Sequence, residues 1–503
     1  MIDQHSTLSE KFLKKGFWLY LFSFIIAPIT YVIKIIISWE LTVSEVGVLY
    51  GIISLVIMLS AYNDLWISES LKYFVPQFIT EQRYDRVKSI LFYALFTQIL
   101  TSTIIAWFFF LWADYISLHY FRTKEASEIL KVFAFFFIWI NIFQTISQFY
   151  LAVQNTKYHK IIEVVRILFT MISVLFIFLW DLWSLLNYSY TWLIWLYLWT
   201  LVSIIIIYKT YYKNYFLWEN IIFDKKFMLR IFKYAWLVFI WSSAWTLLWQ
   251  IDMQMIIYLL WTKQAWYYTN YISIIWIPFI LIWPILGLLF PIFSEMHSKW
   301  EDSKIKLIKS VFQKNFLAVW IALNILFFIF AEVIAYILFW EKFINSWTIL
   351  KYSILLLAFN FLFQINFNIM SWIWKISDRI KIICIAVIFN IITNLIFINL
   401  IWVYWAALAT WLGWVLIWIL SEYYLWNKFS IKFDYKFIWK NLFIMWFLWI
   451  FFNYYVIDIF EWLWRLMSLW IMSLIWFIWF LLFLILNIKE FKFFIWEIKK
   501  LKK

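Results

Sequence analysis

Long apolar blocks alternate with short polar connections along the whole chain. Examples are Phe17–Ser38, Ile167–Trp180 and Ile471–Asn487, and no polar region of soluble-domain size lies between them. A membrane-spanning helix needs about 20 mainly apolar residues, whereas a membrane barrel reads as roughly ten-residue alternating segments. The pattern therefore predicts an all-α polytopic membrane protein with about 14 transmembrane helices. The predicted spans are 16–38, 47–73, 88–112, 128–153, 161–180, 190–208, 233–259, 266–293, 315–339, 347–373, 378–400, 403–426, 438–456 and 464–487.

Composition excludes most soluble classes. The 503 residues are 66% hydrophobic and 14% charged, against about 45–50% and about 25% in a soluble domain. The net charge of +14 could indicate nucleic acid, but that interpretation needs a basic face on a soluble domain. No such domain is present in the pattern, so no nucleic-acid partner is expected. The single Cys384 excludes a disulfide framework.

The distribution of lysine and arginine predicts the orientation. With the N terminus placed inside, 34 of the 42 basic residues fall on the inner side and 8 on the outer side. Cytoplasmic connections of membrane proteins carry this excess of positive charge. The chain is therefore predicted to be a multi-pass protein of the cell inner membrane with both termini in the cytoplasm.

An internal repeat divides the predicted helices. The hairpin at Gly47 recurs in form at Trp266, and the segment ending at Lys160 recurs in form at Arg379, both with an offset of 219 residues. The repeat predicts a six-helix bundle over 1–215 and a second over 216–430, followed by two extra transmembrane helices and a basic cytoplasmic tail over 431–503. Duplicated halves are the usual construction of secondary transporters.

The tryptophan count is physically unusual. The chain holds 41 Trp and 5 Gly, whereas glycine normally makes up about 7% of residues. An aromatic belt at the membrane interfaces does not account for positions that suit small residues. These positions are Trp261, Trp266, Trp372, Trp374, Trp411, Trp414 and Trp418. We interpret most tryptophans as UGA codons that the source organism reads as glycine.

Four short motifs then resemble one known family. Trp261–Tyr268 resembles the "LG-x-x-x-x-G-x-Y" hairpin of polysaccharide biosynthesis flippases, and Asp64–Ser68 resembles their "D-L-G-[IL]-S". Gln250–Asp252 is similar to their "Q-[IL]-D", and Leu289–Glu295 to their "LFP-x-[FL]-S-[ER]". These flippases belong to the multidrug/oligosaccharidyl-lipid/polysaccharide exporter superfamily.

The resemblance implies a function. It implies two bundles that form a V and open alternately to each side, carrying a polyprenyl-diphosphate-linked oligosaccharide whose tail stays in the membrane lipid. A pyrophosphate and sugars cannot cross hydrocarbon unaided, so their path must be polar and partly cationic. No cofactor, metal or enzymatic activity is expected, because the sequence contains no Walker loop, HExxH or Cys/His cluster. An Na⁺ or H⁺ gradient, or consumption of the product, remains as the energy source.

Polar residues inside the predicted spans are the candidate substrate-binding residues. They are Lys34, Asp64, Glu69, Lys72, Arg166, Gln250, Asp252, Asn360 and Gln364. Each also has a bland interpretation, since cations near span ends snorkel to the interface and amides commonly join helices. Glu163 lies three residues before Arg166, a spacing at which the two side chains could pair.

Two other classes of function stay open. A drug/cation antiporter of the same superfamily would share the fold and would use carboxylates such as Asp64 and Asp252 for coupling. A membrane glycan polymerase or ligase would be an enzyme with a substantial outer loop. The longest outer connection is only about 113–128, which disfavours this second alternative.

The orientation can be tested with single cysteines. Cysteine at Ser44 or Ser346 is expected to react with an impermeant maleimide in intact cells, because both positions lie on the predicted outer side. Cysteine at Ser430 should react only after permeabilisation. Labelling of Ser430→Cys from outside would contradict the orientation.

Overall fold

Helices account for all the regular secondary structure in the described residues. The computed structural model describes residues 25–63, 67–153, 155–276, 346–353, 357–372 and 376–429, together with positions 279, 309, 310, 313, 314, 317, 320, 436, 439, 440, 443 and 447. Within these ranges there is no β-strand. This agrees with the requirement that backbone polar groups in lipid be satisfied inside each segment.

The helices follow one another with short connections. They are α1 (25–40), α2 (Val43–Asn63), α3 (Ile67–Thr80), α4 (Tyr84–Ile116), α5 (Ala126–Ala152), α6 (Thr156–Leu179), α7 (Leu185–Ile207), α8 (Lys225–Leu260), α9 (262–276), α10 (Ser346–Ser353), α11 (Ala358–Trp372), α12 (Ile376–Ile401) and α13 (Val403–Phe429). π-Helical turns extend α4 through Ser117–Phe121 and α7 through Tyr208–Phe216.

The helices confirm the predicted class. In the part of the chain that is described, seven helices are long and apolar enough to cross a membrane, so the protein is a multi-pass helical membrane protein. The spans predicted at 315–339, 438–456 and 464–487 lie outside the described residues, apart from isolated positions. The total of 14 helices and the repeat layout therefore stay predictions. Ser346 is fully buried, which leaves Ser44 as the informative outer labelling position.

Local sequence sets where several helices begin and end. Asn155, Ser184 and Asp224 each accept a backbone N–H with the side chain and so cap α6, α7 and α8. Such caps satisfy donors that have no partner within the helix. At the other end, α8 stops at Trp261 with φ of 80°, and α12 stops before Trp402 with φ of 63°.

The chain divides into two compact units, Met1–Trp266 and Tyr267–Lys503. In the first unit, α5 packs against α2, α3, α4 and α7, and α8 packs against α2 and α3. In the second unit, α13 packs against α10, α11 and α12. The predicted boundaries at 215 and 430 describe the sequence repeat, and they stay predictions.

A glycine allows α2 to approach the turn after α8. A Cβ built on Gly47 would lie 2.2 Å from the backbone oxygen of Thr262, an atom that cannot move aside. A Cβ on Gly51 would instead lie 2.6 Å from Cδ1 of Ile257, the far end of a flexible side chain. Close helix contact in membranes depends on such small residues.

The two glycines make a matched pair for mutation. Gly47→Ala is expected to destabilise the protein by about 1–3 kcal/mol, the usual cost of forcing extra volume into a packed site. Gly51→Ala should cost less, because Ile257 can change rotamer. Thermal unfolding of both purified variants measures the difference. Equal midpoints would show that the Gly47 contact does not constrain the fold.

Candidate functional site

Arg166 lies deep within an apolar helix. It is ten residues after Thr156, the first residue of α6, which places it about 15 Å along the helix. That distance is about half of the roughly 30 Å hydrocarbon thickness. The span predicted from the sequence began at residue 161, so the earlier helix start moves Arg166 further from the helix end.

Arg166 contacts an aromatic ring and carries no ion pair. Its guanidinium carbon lies 5.6 Å from the ring centroid of Phe143 on α5. Its Nε is enclosed and has no hydrogen-bond partner among the described residues. An isolated charge at the centre of a bilayer costs about 2.5–3.5 kcal/mol on insertion scales, and such residues usually mark a substrate or ion path.

The expected pairing of Glu163 with Arg166 is wrong. Glu163 Oε2 instead accepts a hydrogen bond from Lys160 Nζ at 2.8 Å. Both cations are three residues from Glu163, but Lys160 is nearer the helix start. There the pair keeps 18% and 33% of its side-chain exposure, so it loses less hydration than a pair one turn deeper would lose.

Two further predicted cations lie on other helices of the same unit. Lys34 on α1 is only 6% exposed, and its Nζ lies 4.8 Å from the ring centroid of Tyr50. Lys72 on α3 is half-buried. Lys34, Lys72 and Arg166 thus occupy three different helices, so the predicted cationic residues do not form one cluster along the chain.

A polar seam joins α2 to α8. Ser54 Oγ donates to Gln250 Oε1 at 2.7 Å, and Gln254 Nε2 donates to Ser54 Oγ at 2.9 Å. Tyr120 Oη donates to Gln254 Oε1 at 2.7 Å. Gln250 therefore joins helices, the bland interpretation given above, whereas Asp252 is 1% exposed and stays a candidate.

The predicted amides of α11 contact each other. Gln364 Nε2 donates to Asn360 Oδ1 at 3.0 Å, while Asn360 Nδ2 is buried without a hydrogen-bond partner in the described part of the chain. Asp64 lies outside the described residues, and so does the side chain of Glu69. No group of three or more His, Cys, Asp or Glu within the described residues could hold a metal ion.

A buried ion pair in the second unit was missed by the sequence interpretation. Lys309 Nζ donates to Glu422 Oε1 of α13 at 2.5 Å. Asn366 Nδ2 of α11 donates to Glu422 Oε2 at 3.0 Å and to Ser421 Oγ at 2.9 Å. Gln313 Nε2 donates to Asn366 Oδ1 at 3.0 Å. We call Lys309, Gln313, Asn366, Ser421 and Glu422 the Glu422 network.

The network is almost completely removed from solvent. Lys309, Asn366 and Ser421 are 0% exposed, Gln313 is 1% exposed and Glu422 is 4% exposed. The sequence analysis counted Lys309 as an inner-loop cation because it precedes the predicted span 315–339. Positions 309, 310, 313, 314, 317 and 320 are helical, so the helix begins earlier. A signal existed in the sequence: Lys309 and Gln313 are four residues apart, the spacing of one helix face.

The fold and family place the chain among known membrane proteins. Its structure is similar to that of Lipid II flippase MurJ in an inward closed conformation, with a TM-score of 0.67 and 14% identity over 89% of this chain and 97% of that chain. It is also similar to an inward-facing multidrug resistance MATE family transporter of the MOP superfamily, with a TM-score of 0.65 and 12% identity over 80% and 94% of the two chains. These likenesses define the class as a helical membrane protein with the fold of that superfamily.

The sequence identifies the family. Residues 12–297 match the family of the polysaccharide biosynthesis protein, and the chain belongs to that family. An uncharacterized membrane protein of Methanocaldococcus jannaschii, MJ1068, is 27% identical over 436 residues, covering 83% of this chain and 84% of the relative. The resemblance drawn from the four motifs is confirmed.

Proposed function

We propose that the protein is a flippase that moves a polyprenyl-diphosphate-linked oligosaccharide across the cell inner membrane by alternating access, for the synthesis of a cell-surface polysaccharide. The observation that carries the proposal is Arg166, an arginine deep in α6 without an ion-pair partner among the described residues. Membership of the polysaccharide biosynthesis protein family and the fold shared with a lipid II flippase support the same conclusion.

The chemistry of arginine favours a phosphate-bearing substrate. A guanidinium stays charged, and its planar fork matches two oxygens of a phosphate at once. Because the enclosed Nε of Arg166 has no partner in the described part of the chain, hydrogen-bonding capacity remains for a substrate oxygen. A diphosphate carries the complementary negative charge, while its polyprenyl tail can stay in lipid.

Lys34 extends the proposed cationic path. It lies six residues before the end of α1 at residue 40, about 9 Å from that end by helical rise. In the predicted orientation this is the outer end of the helix, whereas α6 begins at the inner side. Arg166 and Lys34 would then meet the diphosphate at different depths of one unit.

A drug/cation antiporter is the second candidate because Asp252 is a buried carboxylate at a position suited to cation coupling. The unpaired charge on Arg166 disfavours an organic cation, which it would repel. Transport of ethidium by proteoliposomes, without movement of a diphosphate lipid, would favour the antiporter. A polymerase or ligase is the enzyme alternative, and glycan-bond formation by the purified protein would identify it.

Arg166 gives the direct test. Arg166→Ala should lower the flipping rate of a fluorescent polyprenyl-diphosphate disaccharide in proteoliposomes by roughly 10- to 100-fold, the equivalent of one lost charged hydrogen bond. Arg166→Lys should recover part of the rate, because it keeps the charge and loses the fork. Since Arg166 makes no ion pair, its removal leaves no stranded carboxylate and the variant should fold.

Arg230 is the matched control. Its guanidinium lies 5.3 Å from the ring centroid of Phe74, a similar aromatic contact, but the residue is exposed near the start of α8. Arg230→Ala should flip the probe at the unmodified rate. Full activity of Arg166→Ala, or an equal loss in both variants, would remove the assigned role of Arg166.

A further inference from the structure

We infer that Glu422 is a proton-binding site of the second unit, and that the bound proton replaces Lys309 as the partner of its carboxylate. The inference rests on the proposed transport function for its purpose, since it names the ion that would be coupled. Proton binding itself needs no substrate, so the two proposals can fail separately.

The cost of burying this pair points to a use beyond packing. Taking both an ammonium and a carboxylate out of water carries a large desolvation penalty, and well-packed apolar residues of similar volume often serve stability as well or better. Lys309 and Glu422 keep 1% and 6% of their side-chain exposure. Ionisable residues inside a membrane protein commonly form ion or proton paths.

The occupied position at Glu422 favours a proton over a metal cation. Lys309 already places a full positive charge 2.5 Å from Oε1, so Na⁺ would have to sit beside a second cation. A proton adds to a carboxylate oxygen of Glu422, and the contact with the Lys309 ammonium then breaks. Lys309 keeps its three protons, and Asn366 can still donate to the acid's carbonyl oxygen. The charge of the network rises by one.

The neighbouring charged groups are engaged elsewhere. On α12, Asp378 accepts hydrogen bonds from Tyr424 at 2.9 Å and from Lys381 at 3.3 Å. The guanidinium of Arg379 lies 5.0 Å from the ring centroid of Phe367 on α11. On α10, the buried Ser353 donates to the backbone oxygen of Ile349.

On the helical segment of Lys309, the other described cation is Lys314, which has an interaction of its own. Lys309 is therefore the described cation that contacts Glu422 directly.

The network lies close to a helix end, which gives the proton a short route. Glu422 is five residues before Asn427, where the apolar span Val403–Asn427 ends, about 7.5 Å by helical rise. Protonation would release the helical segment of Lys309 from α13, while the Asn366–Ser421 bond keeps α11 joined to α13. The proton would thereby free one helix and leave the other two in contact.

Infrared difference spectroscopy of the purified protein in lipid nanodiscs tests proton binding directly. Lowering the pH should produce a carboxylic-acid carbonyl band that is present in the unmodified protein and lost in Glu422→Gln. Lys309→Met should show this band at higher pH, because the carboxylate has lost its cation. Asp378→Asn is the matched control, and it should leave the band in place.

A second variant guards against misfolding. Glu422→Gln strands the Lys309 ammonium, whereas the double change Lys309→Met with Glu422→Gln leaves neutral groups and should insert normally. The same band must also be missing there. A carboxylate that stays ionised at every pH where the protein is folded would overturn the inference. So would a band that Na⁺ suppresses at constant pH, because it would identify a metal-cation site instead.

A second and independent observation concerns the backbone at two tryptophans. We propose that the organism of origin inserts glycine, by reading UGA, at Trp261, Trp402 and the matching helix positions described next. Trp261 has φ of 80° and Trp402 has φ of 63°, and a bulky residue at positive φ is a genuine outlier. Both residues directly follow a helix, at the position where glycine most often ends one.

The remaining positions follow one motif that occurs twice. Trp192, Trp195 and Trp199 on α7 repeat as Trp411, Trp414 and Trp418 on α13, with the same offset of 219 residues that relates Gly47 to Trp266. Trp183, just before α7, likewise matches Trp402, just before α13. Small residues spaced three or four apart line faces where membrane helices pack closely.

Buried indoles without partners agree with this substitution. The Nε1 groups of Trp192, Trp199 and Trp320 are enclosed and make no hydrogen bond among the described residues. A buried tryptophan N–H usually finds an acceptor. Glycine at these positions would remove the unsatisfied donors and leave the helix contacts intact.

Peptide mass spectrometry of the protein isolated from its own cells decides the proposal. Glycine is expected in the peptides that cover Trp261, Trp402 and the two motifs, with UGA at those codons. Tryptophan in these peptides, or UGG codons, would overturn it. In the recombinant tryptophan-containing protein, Trp402→Gly should raise the unfolding temperature. Trp112→Gly, in the exposed interior of α4, should lower it as the matched control.

Discussion

A charge inside hydrocarbon has few ways to be satisfied, and this constraint governs both the fold and the site. Backbone polar groups meet it by forming helices. Side-chain charges must pair, reach the interface or meet a ligand. Lys309 and Glu422 pair inside the second unit, and Lys160 and Glu163 pair close to a helix start. Arg166 does neither among the described residues, and a diphosphate is the ligand whose chemistry complements it.

The same constraint explains why the helices could be predicted from the sequence. A membrane helix must be apolar for about 20 residues, so the blocks around α5 and α12 are visible without any structure. The ends were less predictable, because helices continue beyond the apolar block as amphipathic turns. Thus α6 begins at Thr156, five residues before its predicted span, and α4 continues to Ile116 and a π-helical turn.

Partners could not be predicted as well as helices. Glu163 has a cation three residues away on each side, and only hydration favours Lys160 over Arg166. Lys309 resembled a loop residue because the positive-inside rule counts charges without their partners. Its partner Glu422 is 113 residues away. Such a contact depends on how three helices pack, which no local pattern of one helix contains.

The buried charges also differ between the proposed repeats. At the offset of 219 residues, Lys309 and Glu422 correspond to Ile90 and Ser203, while Arg166 and Lys34 correspond to Ile385 and Met253. Each buried cation is therefore matched by an apolar residue in the other half. The first unit carries an uncompensated positive charge suited to an anionic head group, whereas the second carries a neutral pair suited to gaining a proton. Duplication would have supplied one scaffold twice, and these substitutions would have divided substrate binding and ion coupling between the copies.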